Sequence, residues 1–172
     1  TITANSGTNT ITAGEGDDTI LLNNGINSVL AGLGADTITA ASGTNTIDAG
    51  DGADNITLSG GNNTVVAGSG NDIITASGGS NTIATDDGDN TVVLNAGTNS
   101  VSASVGADTV IANGGTNTID AGAGDDKIDL NNGTNSVAAG AGIDTITVTS
   151  GTNTIDAGDG ADVISLNGGL NT

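Results

Sequence analysis

Aliphatic residues recur along this chain at a fixed interval: Ile11, Ile20, Val29, Ile38, Ile47, Ile56, Val65, Ile74, Ile83, Val92, Val101 and Val110 stand nine residues apart. Two residues before each comes Asn or Asp, and two before that comes Gly, as in Gly7, Gly16, Gly25 and Gly34. Apolar and polar residues alternating over a few positions predict short strands, and glycine before each supplies the backbone freedom of a tight turn. Strand alternation assigns faces: Ile20 and Leu22 point one way and Thr19 and Leu21 the other, as Val29 and Ala31 oppose Ser28 and Leu30.

The nonapeptides alternate in two versions. Asn recurs every 18 residues at Asn9, Asn27, Asn45, Asn63, Asn81, Asn99, Asn117, Asn135, Asn153 and Asn171, without an insertion. Midway between lie Asp18, Asp36, Asp54, Asp72, Asn90, Asp108, Asp126, Asp144 and Asp162. A unit of turn plus strand cannot bury its apolar side alone, whereas stacked copies can. The expected fold is therefore all-β, a right-handed parallel β-roll or β-solenoid of 18 residues per coil with two parallel sheets. Residues 1–172 are expected to form a single repeat domain, part of a longer array, since the chain begins at Thr1 rather than Met. At coil spacings of about 4.8 Å the rod would be roughly 45 Å long. The inward set is the aliphatic row plus a second position expected to alternate on the Asn side as Ala4, Leu22, Ala40, Leu58, Ala76, Leu94, Ala112 and Leu130, so that large and small side chains interdigitate.

Composition narrows the chemistry. The chain has no Cys, His, Met, Pro or aromatic residue, which removes imidazole bases, thiol nucleophiles and the usual zinc, haem and iron–sulfur ligands. One Lys or Arg faces twenty acids, for a net charge of −19, so neither nucleic acid nor an anionic membrane is an expected partner. No stretch is apolar enough for a membrane span, and no insertion is expected. The core is thin, with 37 Leu, Ile and Val residues in all.

The Asp row points to cations. Carboxylates stacked about 4.8 Å apart repel by roughly 1 kcal/mol per neighbour even in water, and cations between coils reverse that sign. Carboxylates beside glycine-turn carbonyls are hard oxygen donors, which favour calcium. Asp17, Asp51, Asp89, Asp125 and Asp159 at neighbouring turn positions strengthen the field.

Seven half-repeats read AGxGxD: AGEGDD, AGLGAD, AGDGAD, AGSGND, AGAGDD, AGAGID and AGDGAD. In this pattern, followed by an aliphatic residue, the chain resembles the RTX family, the secreted repeats-in-toxin proteins with a G-G-x-G-x-D-x-U-x signature. The resemblance covers essentially the whole chain. It implies calcium bound between successive coils, with Asp18, Asp36, Asp54, Asp72, Asp108, Asp126, Asp144 and Asp162 as ligands together with turn carbonyls. It also implies a roll that folds outside the cell on meeting calcium.

The departures are specific. Ala stands at nearly every first Gly, Asp86 and Ser104 replace glycine in two turns, Asn90 interrupts the Asp row, and one whole edge carries Asn. Neutral carboxamides can stack and hydrogen-bond without an ion. The expectation is a one-sided roll, with calcium along the Asp edge and a metal-free Asn ladder along the other.

Competing motifs fail on their own terms. An EF-hand needs a Glu at its twelfth position, and Glu15 is the only Glu. The G-x-G pieces lack the Lys and helix of a phosphate loop. Periodic pairs such as Asp125 and Asp126 do not make a unique catalytic site, so no enzyme is expected. Thr10, Ser28, Thr46, Thr64, Thr82, Ser100, Thr118, Ser136 and Thr154 form an outward hydroxyl row that resembles ice-binding β-helices, but the column beyond the aliphatic is broken by Leu30, Asp48, Val66, Asp120 and Asp156. The function expected is thus a non-enzymatic, extracellular, calcium-stabilised structural module of a bacterial surface: a spacer, surface-layer or filament-forming element, disordered without calcium. Its partners would be calcium ions and other copies, end to end or side by side. The alternatives are an ice-binding solenoid and a metal-free, amyloid-like one.

Overall fold

The computed structural model describes all of residues 1–172 and contains strands and turns but no helix. Each coil contributes one strand to each of two ten-stranded parallel sheets, in which every strand pairs with those one coil before and after it. The register steps by one repeat throughout, as in Ile20↔Ile38↔Ile56 in one sheet and Val29↔Ile47↔Val65 in the other. Strands that follow the Asp turns run four residues, such as Thr19–Leu22 and Asn55–Leu58. Strands that carry the Asn row are longer, such as the eight residues of Thr44–Asp51.

Between the sheets lies one continuous core of thirty buried side chains. Every residue of the aliphatic row from Ile11 to Val110 is in it, as are Ala4, Leu22, Ala40, Leu58, Ala76, Leu94, Ala112 and Leu130. The Leu and Ala alternation, expected on the Asn side, instead belongs to the strands after the Asp turns, because Ile20 and Leu22 share the inward face of Thr19–Leu22. On the Asn strands the buried second inward position is Ala31, Ala49, Ala67, Ala103, Ala121 or Ala139, with Thr85 the one polar member.

This arrangement compensates volume within each coil. Coils with Leu22, Leu58, Leu94 or Leu130 carry Val29, Val65, Val101 or Val137 on the opposite strand, whereas those with Ala40, Ala76 or Ala112 carry Ile47, Ile83 or Ile119. A core without aromatics reaches even density by such pairing.

The turns set the coil spacing. Every glycine of the nine-residue series from Gly7 to Gly169 has positive φ. At Gly52 (φ 144°) a side chain is excluded twice, by the backbone conformation and because a Cβ would overlap the Gly34 carbonyl oxygen one coil below.

The Asn sheet also shows a feature absent from the expected outward pattern. Both residues flanking the buried Asn are exposed, so Thr44 and Thr46, Thr98 and Ser100, and Thr116 and Thr118 present paired hydroxyls in their coils. Ile26, Asn62 and Leu170 interrupt the additional column.

Candidate metal centre

The Asp row occupies the turns between a long Asn-sheet strand and the short strand that follows. In Thr44–Asp51, Gly52-Ala53-Asp54, Asn55–Leu58, the turn glycine reverses the chain and delivers Asp54 to the edge of the core. Asp36, Asp54, Asp72, Asp108, Asp126 and Asp144 are all at most 2% exposed, while Asp18 and Asp162 at the two ends are partly open. All eight expected ligands therefore stand in one file, with Asn90 in the gap.

One oxygen of every carboxylate after Asp18 is used by the fold. Oδ1 accepts the main-chain amide of the preceding coil's row residue, from Asp18 to Asp36 (2.7 Å), Asp36 to Asp54 (2.7 Å), Asp54 to Asp72 (2.8 Å), Asp108 to Asp126 (2.8 Å), Asp126 to Asp144 (2.9 Å) and Asp144 to Asp162 (3.0 Å). The other oxygen has nothing. Oδ2 of Asp36, Asp54, Asp72, Asp108, Asp126 and Asp144 is buried without a hydrogen-bond partner. A buried charged acceptor without a partner is costly, and six repeated in register are a demand for a cation or a proton.

The titration behaviour reflects that cost. Burial pushes the Asp72 carboxyl up to about 6 and the Asp126 carboxyl up to about 7, with neighbouring carboxylates adding to the rise. Burial likewise raises Asp54 and Asp108, against the lowering effect of the amide each accepts. The chain's single cation gives no relief here, because Lys127 pairs with Asp129 on the outer surface.

No three carboxylates converge on one point. A cation on this edge would be held by carboxylates of neighbouring coils together with turn carbonyls, a mixed oxygen set that suits calcium, which takes 6–8 oxygen ligands in flexible geometry. The orphaned Oδ2 atoms and the all-oxygen surroundings fit that ion.

The additional acids behave differently. Asp17, Asp89 and Asp125 are exposed, and each accepts the amide of a residue one coil on, namely Ala35, Ala107 and Ile143. Asp51 accepts a hydrogen bond from the Ser69 hydroxyl. It also lines an open groove of about 450 Å³ with Asp48, Asp86 and Asp87, a juxtaposition that the 18-residue spacing alone would reveal only by tabulating the positions beside the glycine turns.

The opposite edge is complete in itself. Nδ2 of each Asn donates to Oδ1 of the next, unbroken from Asn9 to Asn171, at 2.7–2.9 Å. The second Nδ2 hydrogen turns back to the turn carbonyl three residues earlier, as from Asn63 to Gly60 (3.1 Å). From Asn27 onward every side-chain polar atom of this ladder has a partner without an ion.

A roll with nine-residue half-coils, glycine turns and a file of buried carboxylates defines a class of calcium-binding repeat. The RTX calcium-binding nonapeptide repeat matches residues 1–29, 21–56, 30–65, 57–92, 66–101, 102–137 and 138–172, and the chain belongs to that family. Neither a curated protein nor a solved structure matches it.

Proposed function

We propose that this chain is a non-enzymatic structural rod that binds calcium along its Asp edge and is held along its Asn edge without metal. The observation that carries this reading is the buried, unpartnered Oδ2 in six Asp coils, three on either side of Asn90, set against the hydrogen-bonded Asn ladder. Calcium neutralises a row whose net charge the chain cannot balance, and its binding free energy becomes folding free energy. RTX repeats typically occur in secreted bacterial proteins, and weak calcium sites suit extracellular calcium levels. The module accordingly works outside the cell, on a bacterial surface or in a secreted protein, as spacer, surface-layer or filament element. Homotypic stacking is supported by the parallel strands themselves, which pair with any strand of the same register.

The test is a circular dichroism titration of the chelated chain with calcium, with magnesium as control. A cooperative gain of β signal with calcium alone is expected. A fully β chain in chelator, with no change in stability on adding calcium, overturns the reading.

A second role is favoured by the paired hydroxyls of the Asn sheet, which from Ser80 to Thr154 give that face an array suited to ordered water or ice. Inhibition of ice recrystallisation, lost on placing Lys at Thr46 and Thr118, is the outcome expected of that role. Inactivity of the intact chain removes it.

A further inference from the structure

The Asp row changes character at one coil. Asn90 is as buried as the Asp residues on either side. Its Oδ1 accepts the Asp72 amide at 2.9 Å and its own amide donates to Asp108 Oδ1 at 2.8 Å, so the main-chain lattice runs through unbroken. The second δ atom differs in kind. Asn90 Nδ2 donates to the Gly88 carbonyl at 3.0 Å.

Gly88 has a turn backbone close to that of Gly70 and Gly106, with φ of 133°, 134° and 145°. Where the Asp coils leave an unpartnered oxygen, this coil has an N–H donated to the turn's own oxygen. A carboxamide nitrogen offers hydrogens and no ligating lone pair, and the carbonyl it engages is a ligand withdrawn from any metal. An internal hydrogen bond replaces the cation here.

A separate discontinuity falls at the same level of the roll. Asp86 holds a turn conformation that glycine holds elsewhere (φ 59°), and the sheet register shifts between Ala84 and Asp86. Asn-sheet strands are eight residues long up to Asn62–Ser69 and five residues long from Thr116–Asp120 to Thr152–Asp156.

We propose that the coil at Asn90 is a metal-free joint that divides the Asp edge into two calcium-loading blocks, Asp18–Asp72 and Asp108–Asp162, each filling and folding as its own cooperative unit. The inference rests on the calcium reading above. In a stacked array, cooperativity passes between nearest neighbours, here through turns that serve the cation above and the cation below. A coil that needs no cation interrupts that chain of shared ligands. Across the joint the flanking carboxylates are two coils, about 10 Å, apart, twice the spacing within a block.

The experiment is a calcium titration of the whole chain followed by amide NMR signals from each block, with bound calcium counted by equilibrium dialysis. Asp54→Asn, which transplants the Asn90 side chain into the first block, is expected to weaken filling of that block roughly tenfold. The midpoint of the second block is expected to move by less than about twofold, as for independent sites. Equal shifts in both blocks overturn the division. Asn90→Asp is expected to bind more calcium per chain and to merge the two transitions, and binding no more calcium than the parent counts against the joint. Should Asn90→Asp fail to fold, the Asp54→Asn comparison decides alone. A parent chain that binds calcium in one step shared by both blocks overturns only this inference, whereas one that binds none overturns the calcium reading and this inference with it.

Discussion

Oδ1 of Asp72 accepts the main-chain amide of Asp54 at 2.8 Å, while Oδ2 of the same carboxylate has no partner at all. The two oxygens of one side chain thus stand in different positions, one holding coils in register and the other buried without a partner. On the Asn edge the equivalent division is closed within the protein, because each side chain both donates and accepts.

Without metal, the Asp edge should prefer to be protonated. The folded-state carboxyls of Asp72 and Asp126 titrate at about 6 and about 7, above their ordinary value of 3.8, because burial disfavours the charge. Between those values the folded chain binds more protons than the unfolded chain, so stability rises as pH falls from about 7 toward about 4. The β signal of the chelated protein should be greater at about pH 5 than at about pH 7.5. With saturating calcium the order should reverse, since the metal needs deprotonated ligands. Greater stability of the chelated chain at the higher pH would contradict this account.

The Asn ladder should contribute stability that calcium cannot replace. Asn81 accepts from Asn63 and donates to Asn99 and to the Gly78 carbonyl, all at a buried position. Asn81→Asp removes the donor, leaves the Asn99 and Gly78 oxygens unsatisfied and buries a charge. A loss of about 2–4 kcal/mol is expected, undiminished by saturating calcium. Calorimetry of the parent and variant in saturating calcium measures it.

Volume compensation within a coil makes paired core changes non-additive. Leu58→Ala should cost about 2–5 kcal/mol, since Leu58 is fully buried. Val65→Ile on the opposite strand alone should overpack the core and cost about 1–3 kcal/mol. Together they recreate the Ala and Ile pairing of the neighbouring coils, and the double variant should be more stable than the sum of single effects. A double-mutant cycle from denaturant melts reads the coupling directly.

Thr85 is a defect in the core. It is fully buried with an unpartnered hydroxyl, at a position filled by Ala31, Ala49 and Ala67 in the preceding coils. Thr85→Val keeps the shape and removes the orphaned hydroxyl, and should stabilise the chain by about 1–2 kcal/mol. A melting temperature unchanged or lowered by this substitution would mean that the hydroxyl is satisfied in solution.

Much of the architecture is legible in residues that repeat. The positions of Ile20, Val29 and their successors dictate the coil length and the inward face, and the spacing of Asn63, Asn81 and Asn99 foretells a ladder. Less legible is anything that depends on which atom of a side chain faces which neighbour. The split between Oδ1 and Oδ2 of Asp72 is set by the amide one coil below, a relation between residues 18 apart that a list of residue types does not contain. The paired hydroxyls of Thr44 and Thr46 follow from strand alternation around Asn45, yet a reading centred on the aliphatic Ile47 looks to Asp48 instead.

The sequence by itself determined the repeat, the two-sheet roll, the core rows and the contrast between an acidic edge and an amide edge, because in a solenoid each residue's neighbours are copies of itself and periodicity is contact. The packed coils settle which oxygen of the six buried Asp residues is free, that Asn90 satisfies itself on Gly88, and that Leu22 has a coil partner of reduced size. Those outcomes depend on the path of the turns and the offset between stacked coils, which place particular atoms within hydrogen-bonding distance or leave them alone.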